Sequence, residues 1–244
     1  TGAIPSDHPS IWRQLWSSHL PIVEQRAWFA EQLLTRAPSV TADTYRYSNA
    51  GYVIAGAAIE RATGKSWETL LRENIFQPLG MSSCGFGAPA TPGTIDQPWG
   101  HSGSKPISPG HQSADNPPAL GPAATVHCSL ADWAKFVAIH IAGGRGKARL
   151  LSQESFTRIH TPNPDSSYGL GWLIVQREWA DGIAFNHAGT NTMFLALVWV
   201  APAKNRALLV VTNRADQAAD NAVNAVVNTL VKSYKSRDDA LRHF

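Results

Sequence analysis

Apolar residues in the first part of the chain recur at helical spacing, and proline and glycine interrupt them. Residues 21–34 carry such a pattern with a proline at its start, which predicts a helix. Residues 49–62 are apolar on most faces and are followed by Gly64, a residue type that commonly ends helices, so we expect a buried helix there. A third helix is predicted over 66–75, capped by its first serine and ended by Pro78 and Gly80.

The middle of the chain loses this periodicity and then regains it. Residues 89–122 are rich in Pro, Gly, Ser, His and Asn, which predicts a long loop of the kind that often borders a functional site. The sequence Ser-Leu-Ala-Asp that opens 129–141 resembles a helix capping box, and another serine opens a helical pattern over 152–159. We therefore expect two more helices after the loop.

After residue 165 the apolar pattern changes to strand-length runs separated by turn-forming residues. It predicts an antiparallel meander with a closing helix over 216–230 on one face of the sheet. The predicted strands are 168–175, 183–186, 193–200 and 207–212. The order of elements, without βαβ alternation, favours the α+β class. We expect a mostly helical subdomain over 1–160, which includes the long loop, and a sheet subdomain over 161–244.

Composition and charge narrow the class of protein. The 244 residues are 43% hydrophobic and 16% charged, which excludes fibrous and charge-driven disordered chains. The net charge is +3 and the basic residues are scattered, so no nucleic-acid partner is expected. The best apolar run, near 193–200, is much shorter than the roughly 18 to 20 residues that a membrane helix needs, so no membrane span is expected.

Cysteine and histidine spacing gives no sign of a metal. Cys84 and Cys128 lack the C-x-x-C spacing of a redox or zinc site and are too few for a disulfide framework. We interpret them as two half-buried thiols, with a single bridge between them as the alternative. The nine histidines contain no H-x-x-x-H or H-E-x-x-H pattern, so neither a metal nor a cofactor is expected.

Tyr47, Ser48 and Asn49 stand where a polar segment meets the second predicted helix. A cap at Asn49 leaves the Tyr47 phenol projecting from the turn beside an amide. Such a phenol shuttles protons only if neighbouring cations lower its pKa, while the amide can hold a substrate carbonyl or a lysine. A tyrosine before a helix is more often a core-anchoring aromatic, so the tripeptide alone indicates little.

His187, Ala188 and Gly189 lie between two predicted strands, where a strand end can present a histidine to a cleft. The glycine would let a substrate approach the backbone closely, and the N–H of Thr190 could point at a developing oxyanion. A histidine with a purely structural role at a strand end is the commoner alternative.

Seven short blocks occur in an order that resembles the serine β-lactamase-like superfamily. The likeness is to its class C-type branch, which includes class C β-lactamases, D,D-peptidases, D-aminopeptidases and family VIII esterases. It covers about residues 1–232. The blocks are 47–52, Gly64, 76–81, 129–136, 168–172, 187–189 and 211–213.

This resemblance implies a β-lactamase/penicillin-binding-protein-like fold and a serine hydrolase that acts through an acyl-enzyme on a small-molecule ester, amide or peptide. It implies that Tyr47 is the general acid/base partner, that Asn49 contacts substrate and lysine, and that His187 is the third-motif cation or hydrogen-bond donor. Gly189 and the N–H of Thr190 would bind the substrate and its oxyanion. Many members have Lys where this chain has His187, so an ester or amide without a carboxylate is favoured over a β-lactam.

The nucleophile of this family lies in an S-x-x-K motif that should precede Tyr47, and residues 1–46 contain no serine with Lys three positions later. Ser102-Gly103-Ser104-Lys105 has the letters but falls inside the long loop, which is unsuited to a buried helix start. Residues 1–7 resemble the stretch just after the nucleophile helix. We therefore expect an N-terminal segment or a second chain to supply S-x-x-K and the first strands of the sheet, and residues 1–244 alone to be inactive.

Three alternatives from other classes stay open. They are a catalytically inactive binding or regulatory homologue, an N-terminal-nucleophile hydrolase that uses Thr1, and a metal enzyme. The order of helices and strands is wrong for the layered fold of the second. An S-x-x-K motif upstream or on a partner chain would separate the hydrolase from the inactive homologue. The family resemblance slightly favours a periplasmic or secreted location.

Overall fold

A computed structural model describes residues 9–38, 40–41 and 44–242. Residues 1–7 and Thr1, which entered the sequence analysis, lie outside the described residues. The α-helices are α1 (Pro9–Trp16), α2 (Ile22–Leu34), α3 (Asn49–Thr63), α4 (Trp67–Leu71), α5 (Gln77–Leu79), α6 (Gly121–Ala124), α7 (Leu130–Gly144), α8 (Gln153–Ile159) and α9 (Gln217–Arg242). The strands are β1 (Gly85–Phe86), β2 (His101–Ser102), β3 (Lys105–Pro106), β4 (Val126–His127), β5 (Leu173–Arg177), β6 (Gly182–Thr190), β7 (Leu195–Ala201) and β8 (Arg206–Thr212).

The chain divides into two compact units. The first comprises residues up to Trp99 together with Ile107–Asp132, and the second comprises Gly100–Pro106 together with residues from Trp133 onward. These limits differ from the expected subdomains, 1–160 and 161–244, which stay a prediction about folding domains.

The first unit has a helical core built on α2 and α3. Apolar side chains from α1, α2, α3 and a 3₁₀ turn at Pro118–Leu120 pack together, and Trp12 stacks on Phe29 with ring centroids 4.5 Å apart. Burying side chains of this size stabilises the fold by roughly 1.5 to 3 kcal/mol each. The core residues are Ile11, Leu15, Phe29, Leu33, Ala50, Val53, Ala119 and Leu120.

The predicted helix at 49–62 is confirmed as α3, which ends at Gly64 with a left-handed φ of 68°. The expectation that most of its faces are buried is wrong for the described residues. Tyr52 is 42% exposed and Ile59 is 49% exposed, because α2 and the 3₁₀ turn cover only the side that carries Ala50 and Val53.

A largely buried charge cluster joins three helices of the first unit. Arg26 of α2 donates hydrogen bonds to the carboxylates of Glu60 in α3 and Glu68 in α4, with its Nη2 2.8 and 2.7 Å from them. Glu60 also accepts from the backbone N–H of Trp67. A buried charge is tolerated only when its hydrogen bonds are satisfied, and here both ends of the guanidinium are bound.

The third predicted helix begins as expected, because the Ser66 hydroxyl accepts the N–H of Thr69. Its predicted end at residue 75 is wrong. A π-helical turn over Arg72–Phe76 carries the chain into α5, and Gly80 ends it. The proline at position 78 is tolerated because it stands near the start of α5, where its missing N–H is not needed.

The two cysteines form a disulfide, so the preferred interpretation as free thiols is wrong. Cys84 directly precedes β1 and Cys128 directly follows β4, and these strands pair antiparallel through Gly85 and His127. The pairing brings the two thiols together, which sequence spacing alone could not show. The bridge closes a loop of 44 residues that contains the whole of the predicted 89–122 loop.

The second unit contains the predicted meander, and the α+β class is confirmed. The sheet order is β5-β6-β7-β8 with all pairs antiparallel. On one face α9 packs through Ala219, Val223 and Val227. On the other face Val198 and Val200 of β7 pack with Val137 of α7. The closing helix, predicted over 216–230, is longer than expected and runs to Arg242.

Two strand predictions need correction. The strand predicted over 168–175 begins only at Leu173, because the chain turns before it and Gly171 has a φ of 85°. The strand predicted over 183–186 extends to Thr190, so His187 lies within β6 rather than between strands. The reason is the length of β7, which pairs with β6 as far as Thr190 opposite Leu195.

Within the described ranges, no helix combines the length and the apolar character needed to cross a membrane.

Candidate active site

The first group of candidate residues stands at the N-terminus of α3. The Ser48 hydroxyl accepts the N–H of Gly51, so Ser48 and not Asn49 caps this helix. A serine oxygen one residue earlier reaches the free N–H groups of the first turn, and Asn49 becomes the first helical residue. Its side chain does not form the cap, and the Tyr47 hydroxyl donates to Asn49 Oδ1 at 3.3 Å.

The Tyr47 phenol is about half exposed and lies among other tyrosines. Burial raises the pKa of Tyr47. Burial, and then the proximity of Tyr47 and Tyr52, raises the pKa of Tyr45. The Tyr47 phenol is therefore protonated at neutral pH, and a role as proton acceptor requires a cation beside it.

The second group of candidates lies on β6. His187 stands opposite Val198 of β7, and its Nδ1 is 2.7 Å from the carbonyl oxygen of Gly171 and 2.9 Å from Tyr168 Oη. Burial lowers the pKa of His187, and the hydrogen bond to Gly171 partly offsets this effect. The imidazole is therefore neutral at pH 7, unlike the lysine that many relatives are expected to have.

Gly189 and Thr190 form the exposed end of β6. A Cβ placed on Gly189 would meet no described atom within 4 Å, so no packing within this chain demands a glycine. The following turn is fixed by its own side chains, since Thr190 Oγ1 accepts the N–H of Thr192 and Asn191 Oδ1 accepts the N–H of Phe194. The end of this strand is therefore both open and well defined in shape.

The structure brings the candidates together in two groups. Tyr47 and Asn49 are in contact within the first unit, whereas His187, Gly189 and Thr190 are neighbours on one strand of the second unit.

The rejected S-x-x-K match has the geometry expected of a loop. Ser102 and Lys105 pair across the β2–β3 hairpin, with Gly103 and Ser104 at its tip, and all four residues are exposed. A nucleophile of this family would need a helix start with the lysine one turn away, and a hairpin cannot provide that arrangement.

Two residues in contact with His187 were missed by the sequence analysis. Tyr168 and Gly171 belong to one of the seven blocks that carried the resemblance, but no role was assigned to them. The turn before β5 brings them to His187, and no period or motif in the sequence indicates that contact.

Among residues 9–38, 40–41 and 44–242, no group of three or more His, Cys, Asp or Glu side chains is placed to hold a metal ion. His140 and His160 are hydrogen-bonded at 3.0 Å, but they lie in an aromatic core with Phe156 and Phe185. This pair belongs to the core of the second unit.

The chain is similar in sequence to known proteins. The beta-lactamase family profile matches residues 12–232. The chain is 29% identical over 156 residues to unguisins hydrolase ungD' of Aspergillus campestris, covering 57% of this chain and 29% of that protein. It is 25% identical over 181 residues to penicillin-binding protein 4 of Amycolatopsis lactamdurans, covering 68% of this chain and 46% of that protein. The chain spans less than half the length of the curated relatives it matches.

The fold is also found in solved structures. A D-amino acid amidase from Ochrobactrum anthropi SV3, in complex with L-phenylalanine amide, superposes with a TM-score of 0.65 at 20% identity, covering 98% of this chain and 69% of that one. At this identity the likeness concerns the fold, which is therefore of the β-lactamase/penicillin-binding-protein-like type. Since the family match extends over nearly all of the sequence, the resemblance seen in the seven blocks is confirmed, and the chain belongs to the beta-lactamase family.

Proposed function

We propose that this protein is a serine hydrolase that cleaves an ester or amide through an acyl-enzyme, with the nucleophilic serine and its lysine supplied by a segment outside residues 1–244. The observation that carries the proposal is the contact of Tyr47 Oη with Asn49 Oδ1 at the start of α3, in a chain of this family. The proposed substrate is a small ester, amide or peptide, in keeping with the names of the hydrolase and amidase relatives.

Tyr47 would act as the proton carrier. Burial raises the pKa of its phenol, so an adjacent lysine ammonium is needed to favour the phenolate. The phenolate would take the serine proton as Oγ attacks the substrate carbonyl, and would give that proton to the leaving group when the intermediate collapses. Water then attacks the acyl-enzyme by the reverse proton path. Asn49 would orient Tyr47 through Oδ1 and donate from Nδ2 to the substrate carbonyl or contact the lysine.

The end of β6 would bind the reacting carbonyl. The N–H of Thr190 is proposed to donate to the oxyanion of the tetrahedral intermediate, a contact type whose removal typically costs about 10² to 10³ in kcat. Gly189 has no side chain to obstruct a substrate lying along the strand, and His187 supplies the third-motif hydrogen bond.

A catalytically inactive binding homologue is the second candidate. The observation that favours it is the lack of a helical S-x-x-K match within residues 1–244, since Ser102 and Lys105 belong to a hairpin. The residues proposed for catalysis would then bind a ligand without acylation.

Covalent labelling tests the proposal. The product of the complete gene, together with any chain that copurifies, is treated with a fluorophosphonate probe, and the labelled peptide is identified by mass spectrometry. We expect one adduct, on the serine of an S-x-x-K sequence outside residues 1–244. An adduct on Ser102 or on another serine of this chain would show that the nucleophile lies within it. A folded protein that takes no label and hydrolyses no p-nitrophenyl ester would favour the binding homologue.

Convergence of the two residue groups is the geometric requirement of this mechanism. We predict that an experimental structure of the complete protein has Tyr47 Oη, Asn49 and the His187 ring around one cleft. Placement of Tyr47 Oη and the His187 ring on opposite faces of the molecule would contradict the mechanism.

A further inference from the structure

The His187 ring is held by two oxygen atoms at the same nitrogen. Its Nδ1 lies 2.7 Å from the carbonyl oxygen of Gly171 and 2.9 Å from Tyr168 Oη. A carbonyl oxygen has no proton to give, so the contact with Gly171 requires a proton on Nδ1. A neutral imidazole has a single N–H, and Nε2 is then left with a lone pair that accepts hydrogen bonds.

The opposite tautomer conflicts with this geometry. If Nε2 held the proton, the Tyr168 hydroxyl could donate to Nδ1, but the Nδ1 lone pair would still face the Gly171 oxygen at 2.7 Å. Two acceptors at hydrogen-bond distance repel each other, and burial strengthens that repulsion. Tyr168, whose hydroxyl can accept as well as donate, therefore accepts from Nδ1–H together with Gly171.

The second ring nitrogen of His187, Nε2, is not held by such contacts among the described residues. Within the part of the chain that the structure describes, His187 makes no hydrogen bond through Nε2. Residues two apart on a strand share a face, so the ring and the empty position above Gly189 lie on the same face of β6. A molecule that lies along the end of β6 would therefore meet Nε2.

We propose that Tyr168 is a positioning residue which, with the Gly171 carbonyl, holds His187 as the neutral Nδ1–H tautomer, so that Nε2 accepts a hydrogen bond from the substrate. This inference rests on the proposed function for its substrate. The substrate group at this point is a donor, an ammonium or an amide N–H. A carboxylate would place its oxygens against the Nε2 lone pair and is disfavoured. His187 therefore favours a donor group of the substrate, whereas a lysine ammonium at the same place would favour a carboxylate.

The tautomer can be observed directly by long-range ¹H–¹⁵N NMR of the ¹⁵N-labelled product of the complete gene at neutral pH. The His187 signals are assigned by their loss in His187→Gln. We expect Nδ1 to resonate in the protonated, pyrrole-type region and Nε2 in the unprotonated, pyridine-type region. A protonated Nε2, either in the reverse tautomer or in an imidazolium, would overturn the proposal.

Tyr168→Phe tests the positioning role, because it removes the hydroxyl and keeps the ring. In this variant we expect the Nε2 signal to move toward the tautomer-averaged position. Tyr234→Phe is the matched control, since Tyr234 is on α9, where its ring packs against Arg206. If Tyr168→Phe leaves the His187 signals unchanged, as Tyr234→Phe should, Tyr168 does not position the ring.

Two p-nitroanilides of similar size, one with an ammonium and one with a carboxylate beside the scissile amide, test the substrate preference. We expect a higher kcat/KM for the ammonium compound than for the carboxylate compound. In Tyr168→Phe, kcat/KM for the ammonium compound should fall by about tenfold, which corresponds to one hydrogen bond, and the fall should come mainly from a higher KM. Preference for the carboxylate compound would refute the inference while leaving the hydrolase proposal standing. If neither compound is cleaved and no serine is labelled, the proposed function fails, and the NMR result still decides the tautomer.

Discussion

Tyr47 and His187 depart from their ordinary acid–base behaviour for the same reason, which is burial, but with opposite consequences. Burial raises the pKa of the phenol and keeps it protonated, whereas it lowers the pKa of the imidazole and keeps it unprotonated. Both side chains are therefore neutral at pH 7. Tyr47 needs a cation from elsewhere before it can accept a proton, while His187 is ready to accept a hydrogen bond as it stands.

Replacement of the Tyr47 hydroxyl tests its role in proton transfer. In the complete protein, Tyr47→Phe should lower kcat by about 10² to 10⁴ because the serine loses its proton acceptor and the leaving group loses its donor. Tyr45→Phe is the control, since it makes the same change two residues away. Steady-state kinetics on a p-nitrophenyl ester measures both, and an unaltered kcat in Tyr47→Phe would reduce Tyr47 to a packing residue.

Gly189→Ala distinguishes an effect on substrate binding from an effect on the stability of the fold. A Cβ at this position meets no described atom, so the variant should unfold at the same temperature as the parent protein or slightly above it, because alanine loses less backbone entropy in a strand. A substrate lying along β6 would meet the methyl group, and KM should rise. Gly143→Ala is the contrasting variant, since its Cβ would stand 2.3 Å from the Phe156 ring and should lower stability. An unchanged KM in Gly189→Ala would remove this glycine from the site.

At the scale of elements, the α7 and α8 face of the sheet encloses a polar pair in an aromatic setting. His140 is 5% exposed and lies within 5.6 Å, between ring centroids, of Phe136, Phe156 and Trp172. Burial and then the neighbouring His160 lower the pKa of His140 to about 3, and burial lowers the pKa of His160 to about 4. A hydrogen bond between two neutral rings satisfies both inside this core.

These histidines should make stability depend on pH. Their folded pKa values lie below the unfolded value near 6.5, so the unfolded chain binds protons first as the pH falls. Stability from this source is complete above about pH 6.5 and is lost down to about pH 4. Between pH 7 and pH 5 the loss is roughly 2 kcal/mol for the buried His140 and smaller for His160, whose greater exposure to solvent weakens the effect. Urea unfolding at several pH values should detect this loss. The double variant His140→Phe/His160→Phe should lose less stability over that range, and His111→Ala, at an exposed histidine, should behave like the parent.

The elements themselves were largely predictable, whereas their contacts were not. Caps at Ser66 and Ser152 and the meander followed from local residue preferences, which the structure confirms. The extension of β6 through His187 could not be predicted because it depends on the length of its partner β7. The contact of Tyr168 with His187 depends in turn on that extension. Prediction therefore reached the elements that carry the candidate residues, but not the hydrogen bonds that set the protonation of their side chains.

At the scale of the whole molecule, the main feature is the path of the chain between its two units. The chain leaves the first unit at Gly100, returns to it at Ile107 and leaves it again after Asp132. The disulfide between Cys84 and Cys128 joins the chain on either side of that excursion. Disulfides persist in oxidising compartments, so we expect the protein to mature in one.

Loss of the bridge should be costly because of the length of chain it closes. For a loop of 44 residues, the chain-entropy treatment gives a stabilisation of about 4 kcal/mol. Cys84→Ser/Cys128→Ser should lower the unfolding free energy by an amount of this order, and dithiothreitol should lower the parent to the same level. The double variant is its own control, since reductant should not affect it. Equal urea midpoints for parent and variant would mean that the bridge does not stabilise the fold.

Residues 84–128 form a closed covalent ring, and the β2–β3 hairpin lies on its circumference with Gly103 and Ser104 exposed at the tip. A protease that cuts at this tip opens the ring but does not divide the protein, because Cys84 remains on one fragment and Cys128 on the other. The nicked molecule should gain the mass of one water and migrate as a single species until it is reduced. The tip is thus a place where a peptide can be inserted or the chain interrupted while the polypeptide stays one molecule.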